Sequence, residues 1–402
     1  MSKRGTLRLA TRGSDLALRQ AAVVKDALEG RRYEVELVEV ETEGDRIRDE
    51  LIHRLGRTGA FVRALDERVL DGDVDAAVHS MKDMPTESPP ELEVAGVPER
   101  GAAGDLLVTP DGTTLHDLPR GATVGTSSLR RKAQLLAHRS DLDVQPLRGN
   151  VDTRVEKLLA PGLQREHEAR LEDTADEKGN VGREARGASE QSSGDEPRDD
   201  DFEPEFEEDS EEWFQNRSEL EKGALGREVE TEFDAIVLAE AGLERSGLLD
   251  REEISTERLP WSEFVPAPGQ GALAVTAARG ETADAVNDVL DHPRSRVETT
   301  VERTVLGELG GGCVAPIGVH AVLQGSYVHT VVRVLSQDGE ETVEATRDLP
   351  VTEHATGARD FASDLRERGA AELIQAAKRD AGGADADDDA ASTASPETDV
   401  DE

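Results

Sequence analysis

Residues 6–30 read TLRLATRGSDLALRQAAVVKDALEG. The first seven alternate apolar and polar side chains, which predicts a strand with one buried face. Ser14 then stands where a hydroxyl can accept a free backbone N–H at the start of a helix, and Gly30 closes the periodic stretch that follows. A strand that feeds a helix through a two-residue loop is the unit of an α/β fold. The unit recurs: a strand at 33–41, a loop at 42–45, a helix after Gly59-Ala60 with Phe61, Leu65, Val69 and Leu70, and strands at 73–80 and 93–97. After Gly104 the pattern starts again, with strands at 106–109 and 122–125, a helix capped by Ser127 and Ser128 through about Ala137, a strand at 142–147 and a helix opening at 152–159.

The composition changes at Pro161. From 161 to 230 the chain is dominated by Glu, Asp, Arg, Gly and Ser, and 173–210 is nearly free of aliphatic residues, which predicts a largely disordered acidic insertion. Its end, 210–227, can form a helix with Trp213, Leu220 and Ala224 on one face. Regular α/β resumes with a buried-type strand at 233–239 and a short helix at 240–247. A Pro/Gly crossing segment at 266–271 follows, then a strand at 273–277 and helices at 282–290 and 295–309. Strands at 317–323 and 327–335 and a helix at 356–377 complete the ordered part, and the tail from 380 is acidic and expected to be disordered.

The formal net charge is −40 over 402 residues. Nucleic acid and anionic membrane surfaces both require a basic footprint, so neither is expected as a partner. Such self-repulsion implies a high-salt solvent, where the Debye length falls to about 3 Å at molar salt. The first 13 residues lack an apolar signal-peptide core, and no apolar run nears the roughly 20 residues that span a bilayer, so a cytoplasmic location is expected. The single cysteine, Cys313, excludes a disulfide within the chain. It follows three glycines in LGGGCVAPIG (309–318), and on residues alone it reads either as a small buried hydrophobe or as a thiol reached from a cleft.

In so acidic a chain, cations gathered on strand-to-helix loops point to an anionic ligand. Arg12 ends the first strand, and Lys82 follows HSM at 79–81. Arg130 and Arg131 open the helix behind Thr126-Ser127-Ser128, Arg148 and Arg154 flank Gly149-Asn150, and Arg245 follows Ala241-Gly242-Leu243. Ligands of open α/β sheets bind beyond the carboxyl ends of the strands, and each charge-assisted hydrogen bond contributes about 1.5–3 kcal/mol. Several such bonds suit a polycarboxylate. Asp83, beside Lys82, can stabilise a developing cation or move a proton. His79 reads as structural, and no metal-ligand spacing or phosphate-loop motif is present.

LRLATRGSDLAL, DAAVHSMKDMP, VGTSSLRRKAQL, LRGNVDTR, FDAIVLAEAGLERSG, PAPGQGAL and LGGGCVAPIG, in this order, closely resemble the porphobilinogen deaminase (hydroxymethylbilane synthase) family. The resemblance implies three domains, the first two like periplasmic binding proteins around a cleft and the third a small α+β domain carrying the cofactor cysteine. Their bounds would be 1–99 plus 272–289, 104–266 including the insertion, and 294–378. It implies a monomeric transferase that joins four porphobilinogen molecules head to tail, releasing ammonia, on a dipyrromethane cofactor bound by a thioether to Cys313. Asp83 would carry the chemistry. Arg12, Lys82, Arg130, Arg131, Arg148, Arg154 and Arg245 would bind acetate and propionate groups, and Ser80, Thr126, Ser127 and Ser128 would add hydrogen bonds. Many relatives carry a lysine where this chain has Thr58, next to Arg57. The alternative is a non-catalytic polycarboxylate-binding module of the periplasmic type.

Overall fold

The computed structural model describes residues 5–40, 60–187, 206, 208–312 and 315–380. The 42–45 loop, Arg57, Thr58, Cys313 and the tail beyond 380 lie outside the described residues.

Two five-stranded sheets repeat one plan. In the first, β1 (Gly5–Thr11) pairs in parallel with β2 (Tyr33–Glu39) and β3 (Ala76–Ser80), while β10 (Leu273–Ala278) runs antiparallel to β3 and to β4 (Leu92–Gly96). In the second, β6 (Thr123–Gly125) is parallel to β7 (Asp143–Gln145) and β8 (Ala235–Ala239), while β5 (Asp105–Thr109) is antiparallel to β8 and to β9 (Ser255–Arg258). Each sheet therefore holds one antiparallel strand next to a crossing of the chain, at 97–104 going out and at 265–272 coming back. This is the layout of a periplasmic-binding-protein-like pair. A third sheet, the meander β11 (Ile317–Gln324), β12 (Tyr327–Leu335) and β13 (Thr342–Pro350), shares a core with α9 (Pro293–Leu309) and α10 (His354–Leu365).

Helices alternate with strands of both sheets. In α1 (Asp15–Glu29) the Ser14 hydroxyl accepts the Ala17 N–H at 3.4 Å, and Ala21, Val24 and Leu28 form the buried face. Helix α2 (Ala60–Leu70) precedes β3, α3 (Leu129–His138) follows β6, α7 (Glu240–Ser246) follows β8, and α8 (Glu281–Leu290) follows β10. Strand ends fall one to three residues inside several of the sequence expectations. Strands β9 and β13 were not expected. β9 reads STER and has no aliphatic residue. β13 is an edge strand in which Val343, Ala345 and Leu349 face the core between charged neighbours. Such charges guard an exposed edge, and one of them, Arg347, falls on the same face as the apolar residues and interrupts the period-2 signal. The expected single helix at 356–377 is broken instead: α10 ends at Leu365, and a wider turn over 366–370 contains Gly369 at φ 105° before the helix resumes at 371–380.

Residues 152–234 form a compact unit of their own. Helix α4 (Val151–Gly187) runs through Pro161 and far beyond the expected start of disorder, so the insertion is helical to Gly187. The expected helix over 210–227 is two helices, α5 (Ser210–Asn216) and α6 (Glu219–Leu225). They part at Ser218, whose hydroxyl and Glu221 form a capping box that starts α6. Trp213, Leu220 and Ala224 are all buried as the periodicity implied. The His167 ring stacks 5.7 Å from Trp213, and the Arg217 guanidinium lies 4.9 Å from the same ring. A few aromatic contacts thus supply a small core in a segment poor in aliphatic residues.

Buried polar groups lock the two crossings together. Glu302 on α9 is fully buried and accepts two hydrogen bonds from Arg100, at 2.8 and 3.0 Å. It also accepts the Gly269 N–H at 2.7 Å and the Ala321 N–H at 2.9 Å. Gln270 donates to the carbonyls of Ala103 and Gly104 at 2.6 and 3.0 Å. At Gly271, where φ is 82°, a Cβ would stand 2.6 Å from two carbonyl oxygens of the outgoing crossing, so only glycine allows the two segments to touch. Glu302→Ala would leave the Arg100 charge and two backbone N–H groups unpaired in the interior. A loss of about 3–5 kcal/mol is expected, read as a lower denaturation midpoint with the secondary structure retained at low denaturant. An unchanged midpoint would show that the crossings are held by packing alone.

Candidate active site

The cationic and hydroxyl side chains singled out in the sequence sit at corresponding ends of the two sheets. Arg12 follows β1, Ser80 ends β3, and Lys82 and Asp83 lie on a single tight turn (Met81–Asp83) directly after it. Thr126, Ser127 and Ser128 follow β6, Arg148 follows β7, and Arg245 is on α7 after β8. All are beyond carboxyl ends of parallel strands, so within each sheet the topology gathers them on one edge. Arg154 stands one turn into α4, in the 152–234 unit.

The turn carrying Asp83 is fixed from several sides. The Met81 N–H donates to the Ala272 carbonyl at 3.0 Å and the Met84 N–H to the Met81 carbonyl at 3.2 Å. Met81 and Met84 are buried, Lys82 is half-buried and Asp83 is exposed. Just before the turn, His79 Nε2 lies 2.9 Å from Asp66 and 3.0 Å from the Thr276 hydroxyl, all three buried. This is the structural role expected for His79: it ties β3 to β10 and α2. On the other sheet the Ser127 hydroxyl donates to the Leu147 carbonyl, joining the loop after β6 to the segment with Arg148. Ser128 caps α3, accepting the Arg131 N–H at 3.4 Å.

Arg130 and Arg131 share a buried partner. Both are 5% exposed and converge on the fully buried Asp105. Arg131 donates to Asp105 Oδ1 at 2.7 Å and to the Val237 carbonyl at 3.1 Å. Arg130 lies 2.8 Å from Asp105 Oδ2 and donates to the Val265 carbonyl at 2.8 Å. Both guanidinium groups are thus paired inside the protein. Burial opposes ionisation of Asp105 most strongly, but the two guanidinium charges and the hydrogen bonds from Arg131 and Gln270 overcome it and hold the carboxyl well below its ordinary value. Burial likewise lowers Arg130, against the attraction of Asp105. Arg245 is half-buried, donates to the Gly271 carbonyl at 2.6 Å, and is lowered by burial against the pull of Glu244.

Three groups that matter for the geometry were not singled out in the sequence: Asp105, Glu302 and Arg303. Only folding shows that Asp105 and Glu302 are buried and that Arg303 is half-buried. The one available signal was the PAPGQG segment, whose Gln270 and glycines mark a place where chain segments pass closely. The depressed carboxylates have a consequence in acid. Their folded pKa values lie below the unfolded ones, so their contribution to stability is full above the ordinary carboxylate range near pH 4 and is lost as the pH falls through the folded values. Thermal midpoints of the holoprotein are therefore expected to drop steeply below about pH 4, and less steeply in Glu302→Gln. Parallel curves for the two proteins would contradict this.

The glycines before Cys313 have uses within the fold. Gly310 caps α9 at φ 70°, and Gly312 has φ 56°. At Gly311 a Cβ would meet Ile317 Cδ1 at 2.1 Å. The space at Gly311 is thus taken by β11. The turn nonetheless brings the chain out of a long helix directly to residue 313.

The sequence matches the dipyromethane cofactor binding domain of porphobilinogen deaminase over residues 7–169 and 220–285, and the C-terminal domain of the same enzyme over 297–367. The chain belongs to the porphobilinogen deaminase family. A probable porphobilinogen deaminase of Halobacterium salinarum is 55% identical over 393 residues, covering 93% of this chain and 99% of the relative. One from Methanococcoides burtonii is 35% identical, covering 94% and 99%, and the porphobilinogen deaminase of Campylobacter fetus is 33% identical, covering 92% and 98%. Among solved structures, the methionine-binding protein MetQ aligns over 71% of this chain and 89% of its own at 11% identity, with a TM-score of 0.32. Membership in the porphobilinogen deaminase family makes this an enzyme of tetrapyrrole biosynthesis with a dipyrromethane cofactor, and a non-catalytic polycarboxylate-binding module is not favoured. No described helix of the deaminase is long and apolar enough to cross a membrane.

Proposed function

We propose that this deaminase builds its product on a dipyrromethane held through a thioether to Cys313, with Asp83 as the group that carries the repeated chemistry. The reaction joins four porphobilinogen molecules head to tail, releasing ammonia at each step, to give hydroxymethylbilane. The observation that carries the reading is the turn after β3: it presents Lys82 and Asp83 side by side on the same sheet edge as Arg12. The donor set suits the cofactor. A dipyrromethane carries carboxylate side chains and two pyrrole N–H groups, and the strand ends offer cations for the first and one exposed carboxylate for the second. When bound, the cofactor supplies the primer to which units are joined.

This placement supports the following roles. Arg12, Lys82, Arg148, Arg154 and Arg245 bind acetate and propionate groups. Ser80, Thr126 and Ser127 donate or accept hydrogen bonds beside them. Arg130 and Arg131 bind such groups too, from a loop that their pairing with Asp105 holds in shape, and Ser128, which caps the helix behind it, adds a hydrogen bond. Asp83 accepts pyrrole N–H groups and stabilises the positive charge that forms as ammonia leaves, an electrostatic effect strongest where water is excluded. The domains are 1–99 plus 272–289, 104–266 and 294–378, the enzyme is a cytoplasmic monomer, and its charge of −40 suits a high-salt solvent. The direct test pairs two measurements on the purified chain: intact mass, expected to exceed the sequence mass by one dipyrromethane, and porphobilinogen consumption with hydroxymethylbilane as product. An active protein of unmodified mass would overturn the covalent assignment.

A further inference from the structure

We infer that Arg303 is a positioning residue for the reaction, the strut that holds the Asp83 turn in place from the helix leading to Cys313. The inference rests on the role proposed above for Asp83. Arg303 lies on α9, six residues before its end at Leu309. Its guanidinium donates to the carbonyls of Met81 at 3.4 Å, Met84 at 3.3 Å and Pro85 at 2.6 Å. These three carbonyls bracket Lys82 and Asp83. A rigid planar fork is suited to bridging several acceptors at once, which an ammonium on a flexible stem is not.

Met81 and Met84 pack one side of this turn into a cluster with Val62, Val97, Ala272 and Ala274. Beside Met81 lies an open pocket of about 320 Å³, lined among others by Thr86, Val94, Thr299, Arg303 and Gly307. Arg303 reaches the turn along the wall of this space. The neighbouring residue on the same helix turn, Glu302, holds Gly269, where a Cβ would stand 2.9 Å from Met81 Cγ. Adjacent residues of α9 thus grip the turn and the returning crossing. Burial lowers the Arg303 pKa, and no ion pair reaches it among the described residues, so its hydrogen-bonding capacity is directed to backbone carbonyls. A guanidinium kept half-buried for three carbonyls of one turn serves the placement of that turn.

Small displacements of a catalytic group cost up to about 100-fold in rate. For Arg303→Gln holoenzyme, kcat is expected to fall about 30- to 100-fold while KM for porphobilinogen changes less than about threefold. Cofactor loading by intact mass should be normal, and amide exchange of the peptide covering 81–86 should quicken at least about tenfold. Arg303→Lys should recover part of the rate. Normal kcat or unchanged exchange in Arg303→Gln would overturn the inference, as would a loss accounted for wholly by missing cofactor. If Arg303→Gln does not fold, Arg303→Lys decides: a lowered kcat at normal KM and loading supports the strut, and normal kcat refutes it. Asp83→Asn measured in parallel separates the two readings. Full turnover there removes the role of Asp83 itself, whereas an inactive Asp83→Asn beside a fully active Arg303→Gln removes only the role of Arg303.

Discussion

Asp83→Asn is expected to fold as the parent does and to lose at least about a hundredfold in porphobilinogen turnover, the scale seen when one preorganised electrostatic group is removed from a transition state. Folding should survive because Asp83 is exposed at the tip of its turn, while the turn itself is held by the backbone bonds of Met81 and Met84 and by Arg303. Asparagine keeps the size and one acceptor oxygen but removes the charge. What is lost is the Coulomb stabilisation of the cation formed on loss of ammonia, so the defect should fall on kcat more than on KM. The measurement is steady-state porphobilinogen consumption beside the thermal midpoint and intact mass of the same sample. A fully loaded variant with near-parental kcat would show that another group stabilises the cation.

The second large effect concerns Cys313. Cys313→Ser should give a folded protein whose mass equals its sequence and which produces no hydroxymethylbilane. A serine hydroxyl is almost wholly protonated near neutral pH, whereas the attacking form of a cysteine is its thiolate, already partly present there. Because the chain has one cysteine, no other thiol can substitute. Stability should change little, since serine is close to cysteine in size and the third core is built on Val301, Val305, Leu309, Ile317 and Phe361. Retention of the added mass in the serine variant would move the attachment point to another side chain.

Much of this was legible in order along the chain. The period-2 and helical patterns around Ser14, the caps at Ser128 and Gly30, and the apolar strand before Glu240 are local properties, so the α/β class and the positions of Arg12, Asp83 and Arg245 at strand ends could be read directly. The long helix through Pro161 was not legible. Its composition argues for disorder, and a proline removes a helical hydrogen bond, yet α4 continues to Gly187. Strand β13 was hidden by the charges that guard its edge.

The sequence by itself determined the family, the α/β class, the single thiol and the placing of cations and one carboxylate after successive strands, because each depends on neighbouring residues or on the identity of short motifs. Tertiary structure alone decided which charges face inward. Arg130 and Arg131 turn to Asp105, Glu302 meets Arg100 across 202 residues, and Arg303 reaches the Asp83 turn across more than 200. A charged side chain looks the same in sequence whether it meets water or a buried partner. The two crossings bring residues 97–104 and 265–272 together, and around them Asp105 and Glu302 are shut off from water with their arginine partners.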